Sequence, residues 1–109
     1  MDLGSFYIAL AVQDLKVSRA FYEKLGFTVF DGKEEQNWLM LRNGETKLGL
    51  FQGMFEKNML TFHPSDVKAI QESLKNADVE LAQEVDDSSE QVYISLVDPD
   101  GNPILMDQM

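Results

Sequence analysis

The feature that most constrains this chain is that it nearly repeats itself. A shift of 52 positions lays Asp14-Leu15 on Asp66-Val67, and "LGFTV" (25–29) on "ADVEL" (77–81). Further along, a shift of 56 lays "KLGLF" on "PILMD". A repeat of about fifty residues implies one supersecondary unit built twice, each copy too small to bury its apolar face alone. No low-complexity linker separates the copies. We therefore read one domain over residues 1–109, with module one at about 3–52, module two at about 58–108, and "QGMFEKN" (52–58) as the joint.

The pattern within each copy is strand, helix, then three strands. "FYIALAV" (6–12) reads as a strand. Asp14 stands at the N-cap position of a helix in which Leu15, Ser18, Tyr22 and Leu25 share a face, with Phe21 beside them. Gly26 is a natural stop just beyond it. "FTVF" (27–30) starts a second strand, and "NWLMLRNGETKLGLFQ" (37–52) reads as a hairpin around Asn-Gly. In the second copy "MLTFH" (59–63) is a strand, and Pro64, Ser65 and Asp66 open a helix. Val67, Ile70, Leu74 and Ala77 form that helix's apolar stripe. "VELAQEV" (79–85) reads as a strand, and residues 91–108 as a hairpin turning at "DPDGN". The fold class that follows is α+β: two tandem βαβββ modules forming a cupped mixed sheet.

Composition narrows the function. A net charge of −10 repels phosphate backbones and anionic headgroups, so neither nucleic acid nor membrane is an expected partner. With no cysteine, thiolate nucleophiles, Cys-ligated zinc and disulfide scaffolds are all excluded. The absence of disulfides and of any signal-like N-terminus points to a cytoplasmic location.

Two segments, "LAVQDLKVSRAFYEKLGF" (10–27) and "VDPDGNPIL" (97–105), resemble the vicinal oxygen chelate superfamily. That superfamily includes glyoxalase I, extradiol dioxygenases and bleomycin-binding proteins. The resemblance covers nearly the whole chain. It implies a cup that in the metalloenzymes holds one divalent ion, with His, Gln or Glu ligands from four strands. Carried over residue by residue, those four slots fall on Tyr7, Gly49, Met59 and Leu105. None is a good ligand for a hard or borderline divalent metal. The resemblance thus implies the scaffold without its usual metal, and with no catalytic residue or cofactor assigned. It also implies a homodimer.

Strand parity suggests what lines the cup instead. If Gly49 faces inward, so do Phe51, Trp38 and Met40. Tyr7, Ala9 and Ala11 join from the first strand, and Met59, Thr61 and His63 from the second module. The ligand-binding set expected is Tyr7, Trp38, Met40, Phe51, Met59, Thr61, His63 and Leu105. Such a lining suits a small organic ligand, aromatic or cationic. Two other readings stand beside it. One is a metal-dependent lyase or dioxygenase with atypical ligands such as Gln52, His63 or Asp107. The other is a non-catalytic dimeric interaction module. His63 is read as structural or at a strand end. "HPSD" (63–66) is read as a helix start, and "DPDGN" as a turn.

Overall fold

The computed structural model describes residues 1–108. Seven strands and two helices appear among them: β1 (Ser5–Val12), α1 (Leu15–Lys24), β2 (Thr28–Lys33), β3 (Trp38–Asn43), β4 (Thr46–Gln52), β5 (Met59–His63), α2 (Val67–Asn76), β6 (Tyr93–Val97) and β7 (Pro103–Asp107). They fall into two compact units. One is Tyr7–Asn58. The other joins Met1–Phe6 to the chain from Met59 onward. Parallel and antiparallel pairs mix in both, giving the α+β architecture expected. No described helix is long and apolar enough to cross a membrane.

In the Tyr7–Asn58 unit the strand order is β2-β3-β4-β1. β1 runs parallel to β4, and β3 pairs antiparallel with both β2 and β4. The β3–β4 hairpin turns on Gly44 and Glu45, one residue later than the Asn-Gly reading, with Asn43 opposite Thr46. Gly44 takes the left-handed conformation (φ 60°) at the first loop position, as in type II′ turns. Either loop placement keeps the odd-with-even pairing, so the face assignment survives. Leu15, Leu39, Leu41 and Leu50 form the core, with Leu10, Val12, Tyr22, Phe27 and Val29 packed on it.

In the other unit the order is β5-β7-β6, with β5 parallel and β6 antiparallel to β7. Its core is Val67, Ile70, Ile94, Leu96 and Met106. The strand expected at 79–85 does not form. Only Gln83 makes a bridge, to Ser95. Elsewhere the segment's backbone is satisfied differently: the Val85 amide donates to Gln71 Oε1 at 2.7 Å. Val79, Leu81 and Val85 still pack against the core. Their apolar spacing serves burial without a ladder.

The helices begin and end on the same joints in both units. Asp14 accepts from the Lys16 and Val17 amides, and Asp66 from the Ala69 amide. A glutamine from the last strand or just past it reaches back to each helix's first amide. Leu15 N donates to Gln52 Oε1 (2.8 Å), and Val67 N to Gln108 Oε1 (2.9 Å). At the far end of α1, the Gly26 amide donates to the Glu23 carbonyl and the Phe27 amide to the Tyr22 carbonyl. The rings of Tyr22 and Phe27 meet edge-on at 5.8 Å. α2 repeats this Schellman geometry, with Asp78 to Lys75 and Val79 to Leu74.

Two helix-face expectations are corrected. Phe21 and Leu25 are each 56% exposed. Leu25 is the C-cap, beyond the last helical residue, and the Phe21 ring meets Tyr22 edge-on at 5.2 Å. Ala77, the C-cap of α2, is likewise exposed.

The two glutamines join strand end to helix start across a long stretch of chain. Gln52→Ala and Gln108→Ala each strand a part-buried amide. Each is expected to cost about 1–2 kcal/mol in urea unfolding, with the helix content of the native state unchanged.

Candidate functional sites on two sheet faces

Within the Tyr7–Asn58 unit, register puts one set of side chains opposite the helix-packed leucines. Gly49 pairs with Ala9 on one side and Met40 on the other. Phe51 pairs with Ala11 and Trp38 in the same way. Directly paired residues share a face. Trp38, Met40, Gly49, Phe51, Ala9 and Ala11 therefore lie together, and Tyr7 joins them two residues before Ala9.

The face is dense around Gly49. A Cβ added there would stand 2.5 Å from Phe51 Cε2, 2.9 Å from Tyr7 Cε2 and 3.1 Å from Met40 Sδ. Glycine is required because three side chains occupy the space a side chain would need. Phe51 is the hub of an aromatic row. Trp38 stacks on it nearly parallel, 6° between planes with ring centres 6.2 Å apart, and Phe55 tilts against it at 5.4 Å. All three rings are half-buried, so the row is supported from beneath and partly open above. Phe55 is the member that strand parity misses, because it lies in a connection. Its apolar character in a polar loop was the available signal.

In the other unit, Thr61 and Ser95 both pair with Leu105, which puts the three on one face. Alternation along β5 adds Met59 and His63. Ser95 was not among the expected residues, although the hairpin register around "DPDGN" would have found it. His63 is half-buried, and its Nδ1 lies 3.0 Å from the Asp107 carbonyl, so this nitrogen carries the proton when the ring is neutral. Thr61 is fully buried, and its hydroxyl oxygen has no hydrogen-bond partner among the described residues.

The slots that would hold a metal do not fit one. Gly49 offers no donor, and the crowding above it leaves no room for a carboxylate. Met59 and Leu105 offer a thioether and an alkyl group. Among the described residues, no three His, Asp or Glu side chains converge. Of the atypical ligands considered, Gln52 is engaged by the first amide of α1.

The displaced acid–base groups lie away from both faces. The Asp98 carboxyl is held below its usual range by hydrogen bonds from the Asn102 side chain and amide, inside the "DPDGN" turn. Asp86 is lowered by the Ser88 hydroxyl and amide. Arg19 is raised, chiefly by its hydrogen bond to Glu34 at 2.9 Å. These are turn and surface interactions. "HPSD" likewise resolves into a helix start, with Asp66 as its cap.

A family model for the Glyoxalase/Bleomycin resistance protein/Dioxygenase superfamily matches residues 4–106. Several solved structures are similar. A superfamily member from Vibrio splendidus 12B01 is 19% identical with a TM-score of 0.74, covering 95% of this chain and 97% of its own. A Legionella pneumophila protein described as NAD-dependent benzaldehyde dehydrogenase is 17% identical with a TM-score of 0.78, covering 95% and 98%. Methylmalonyl-CoA epimerase from Mycobacterium tuberculosis is 17% identical with a TM-score of 0.70, covering 94% and 85%. At these identities the likeness is one of fold. No curated protein matches the sequence.

The orphan hydroxyl gives a direct test of the second face. Thr61→Val removes a buried polar group that nothing satisfies, and is expected to stabilise the protein by about 1 kcal/mol in urea unfolding. Destabilisation would show that the hydroxyl is satisfied in solution.

Proposed function

This chain belongs to the glyoxalase/bleomycin resistance protein/dioxygenase superfamily, and on that footing we propose that it is a small-molecule binding protein that works without a metal. The observation that carries this reading is the aromatic row of Trp38, Phe51 and Phe55, whose central ring, Phe51, crowds with Tyr7 and Met40 the place where a first-module ligand would stand. A carboxylate at position 49 would have to displace Phe51. The space has gone to apolar surface, and apolar surface binds by burial and stacking.

The half-open row favours a flat ligand. Offset stacking on an aromatic ring adds roughly 0.5–1.5 kcal/mol to the area buried. A cationic ring gains further from the π face, and the chain's net charge of −10 raises the local concentration of cations. Trp38 and Phe51 would form the platform, with Tyr7 and Met40 setting its floor.

Trp38 is the single tryptophan, so its emission reports on the platform alone. Titration with a panel of flat aromatic compounds, neutral and cationic, is expected to quench or shift that emission saturably for at least one of them. Phe51→Ala is expected to weaken the response at least tenfold. A panel without any saturable response would overturn the reading. So would retention of about one Ni, Zn, Mn or Fe(II) ion per chain after desalting.

A further inference from the structure

We infer that the ligand of this face carries an anionic group, a carboxylate or a phosphate, and that Arg42 and Lys47 receive it. The inference rests on the platform reading of Trp38 and Phe51 and adds the ligand's charge to it.

The chain's charge is unevenly divided. The Tyr7–Asn58 unit carries seven Lys and Arg against seven Asp and Glu, so the whole −10 belongs to the other unit. Within the neutral unit, the strand face that bears the platform is basic. Directly paired residues share a face, and Arg42 pairs with Lys47 in the row next to Met40 and Gly49. Lys33 pairs with Trp38 itself. Asp31, opposite Met40, is the one acid that the strand register puts on this face, and its carboxylate accepts from the Gly32 amide. The unit's other acids stand on α1, at its cap or in connections. Averaged over the chain, the field favours a cation; over this face it does not. Charges act over about 8 Å at physiological ionic strength, so the local sign decides.

The fold gives no reason for these cations. Like charges directly opposite one another on neighbouring strands destabilise the pair. Arg42 and Lys47 are so placed, and no acid lies within ion-pair distance of either among the described residues. The Arg42 guanidinium stands over the Phe30 ring, 5.5 Å from its centre. That contact holds the cation without supplying an acceptor, so the fork that grips a carboxylate or phosphate by two bonds remains available. Lys33, beside Trp38, repels a cationic ring from the platform.

The spacing sets the ligand's shape. Arg42 follows Trp38 by four residues on β3, and Lys47 precedes Phe51 by four on β4. At about 3.4 Å per residue the basic pair lies about 14 Å along the strands from the stacked rings. Met40 and Gly49 form the apolar floor between them. The ligand is therefore elongated, with a flat ring at one end, an oxyanion at the other and an apolar stretch between.

Four probes that share one ring and one tail test the charge: 8-phenyloctanoate, 8-phenyloctyl phosphate, the neutral 8-phenyloctanamide and the cationic 8-phenyloctylamine. Binding is read by calorimetry and by Trp38 emission. At least one of the two anions is expected to bind at least tenfold more tightly than the amide, and the amine more weakly than the amide. Which anion is favoured separates a carboxylate from a phosphate ligand. The double variant Arg42→Gln, Lys47→Gln is expected to bring the anions down to the affinity of the amide, with amide binding unchanged, which also shows that the variant is folded. Should the variant fail to fold, salt decides the matter in the wild-type chain. Anion affinity is expected to fall as salt rises, and amide affinity is not. An amide or amine that binds as tightly as both anions, or anion binding indifferent to salt and to the variant, would overturn the inference and leave the platform standing. No binding by any of the four would overturn both.

Discussion

The register of β4 is the constraint on which the first unit depends. β4 lies between β1 and β3, and both neighbours are locked to it residue by residue. Leu50 must face α1 because the core is built on it. Gly49 and Phe51 are then turned to the opposite face. A slip by one residue would exchange the two sets and expose the core leucines. Helix packing therefore fixes which positions form the candidate site, and here those positions carry rings and a glycine.

Helix ends supply the second level of order. A strand can be paired and still leave its helix free to shift along the sheet. Here each helix is tied at its first amide by a glutamine that arrives with the last strand. Each is closed at its far end by a turn whose residues pack on the next strand or segment. Both units use the same tie, although the spacing between helix start and glutamine differs by four residues. The extra residues lie in the second half, where the missing strand is replaced by a longer irregular path.

Much of this was legible in the sequence, for physical reasons. Asp14, Asp66 and Gly26 are local signals whose effect depends on their immediate neighbours, and they act as read. Parity across the β3–β4 hairpin is geometric, so the face shared by Trp38, Met40, Gly49 and Phe51 survived a one-residue error in the turn. The segment 79–85 was not legible. Its alternation is real, but whether a strand finds a ladder depends on distant groups such as Gln71, which periodicity cannot show. Phe21 and Leu25 were misplaced for a related reason. Helical spacing says which residues share a face and not which faces are covered. The aromatic row was half legible, because Trp38 and Phe51 follow from register while Phe55 enters from a loop.

The two Schellman turns differ at the one residue where stereochemistry is demanding. Gly26 holds φ at 96° without a side chain to object, whereas Asp78 holds φ at 62° with one. A non-glycine residue pays roughly 1–2 kcal/mol for that conformation, and less when its side chain is a short acid. The second half keeps the geometry of the first without the residue best suited to it. The molecule thus contains an internal standard of comparison. Wherever both halves solve the same geometric problem, one half can be read as the control for the other, and the positions where they disagree separate what the architecture demands from what has been left open to drift or to use.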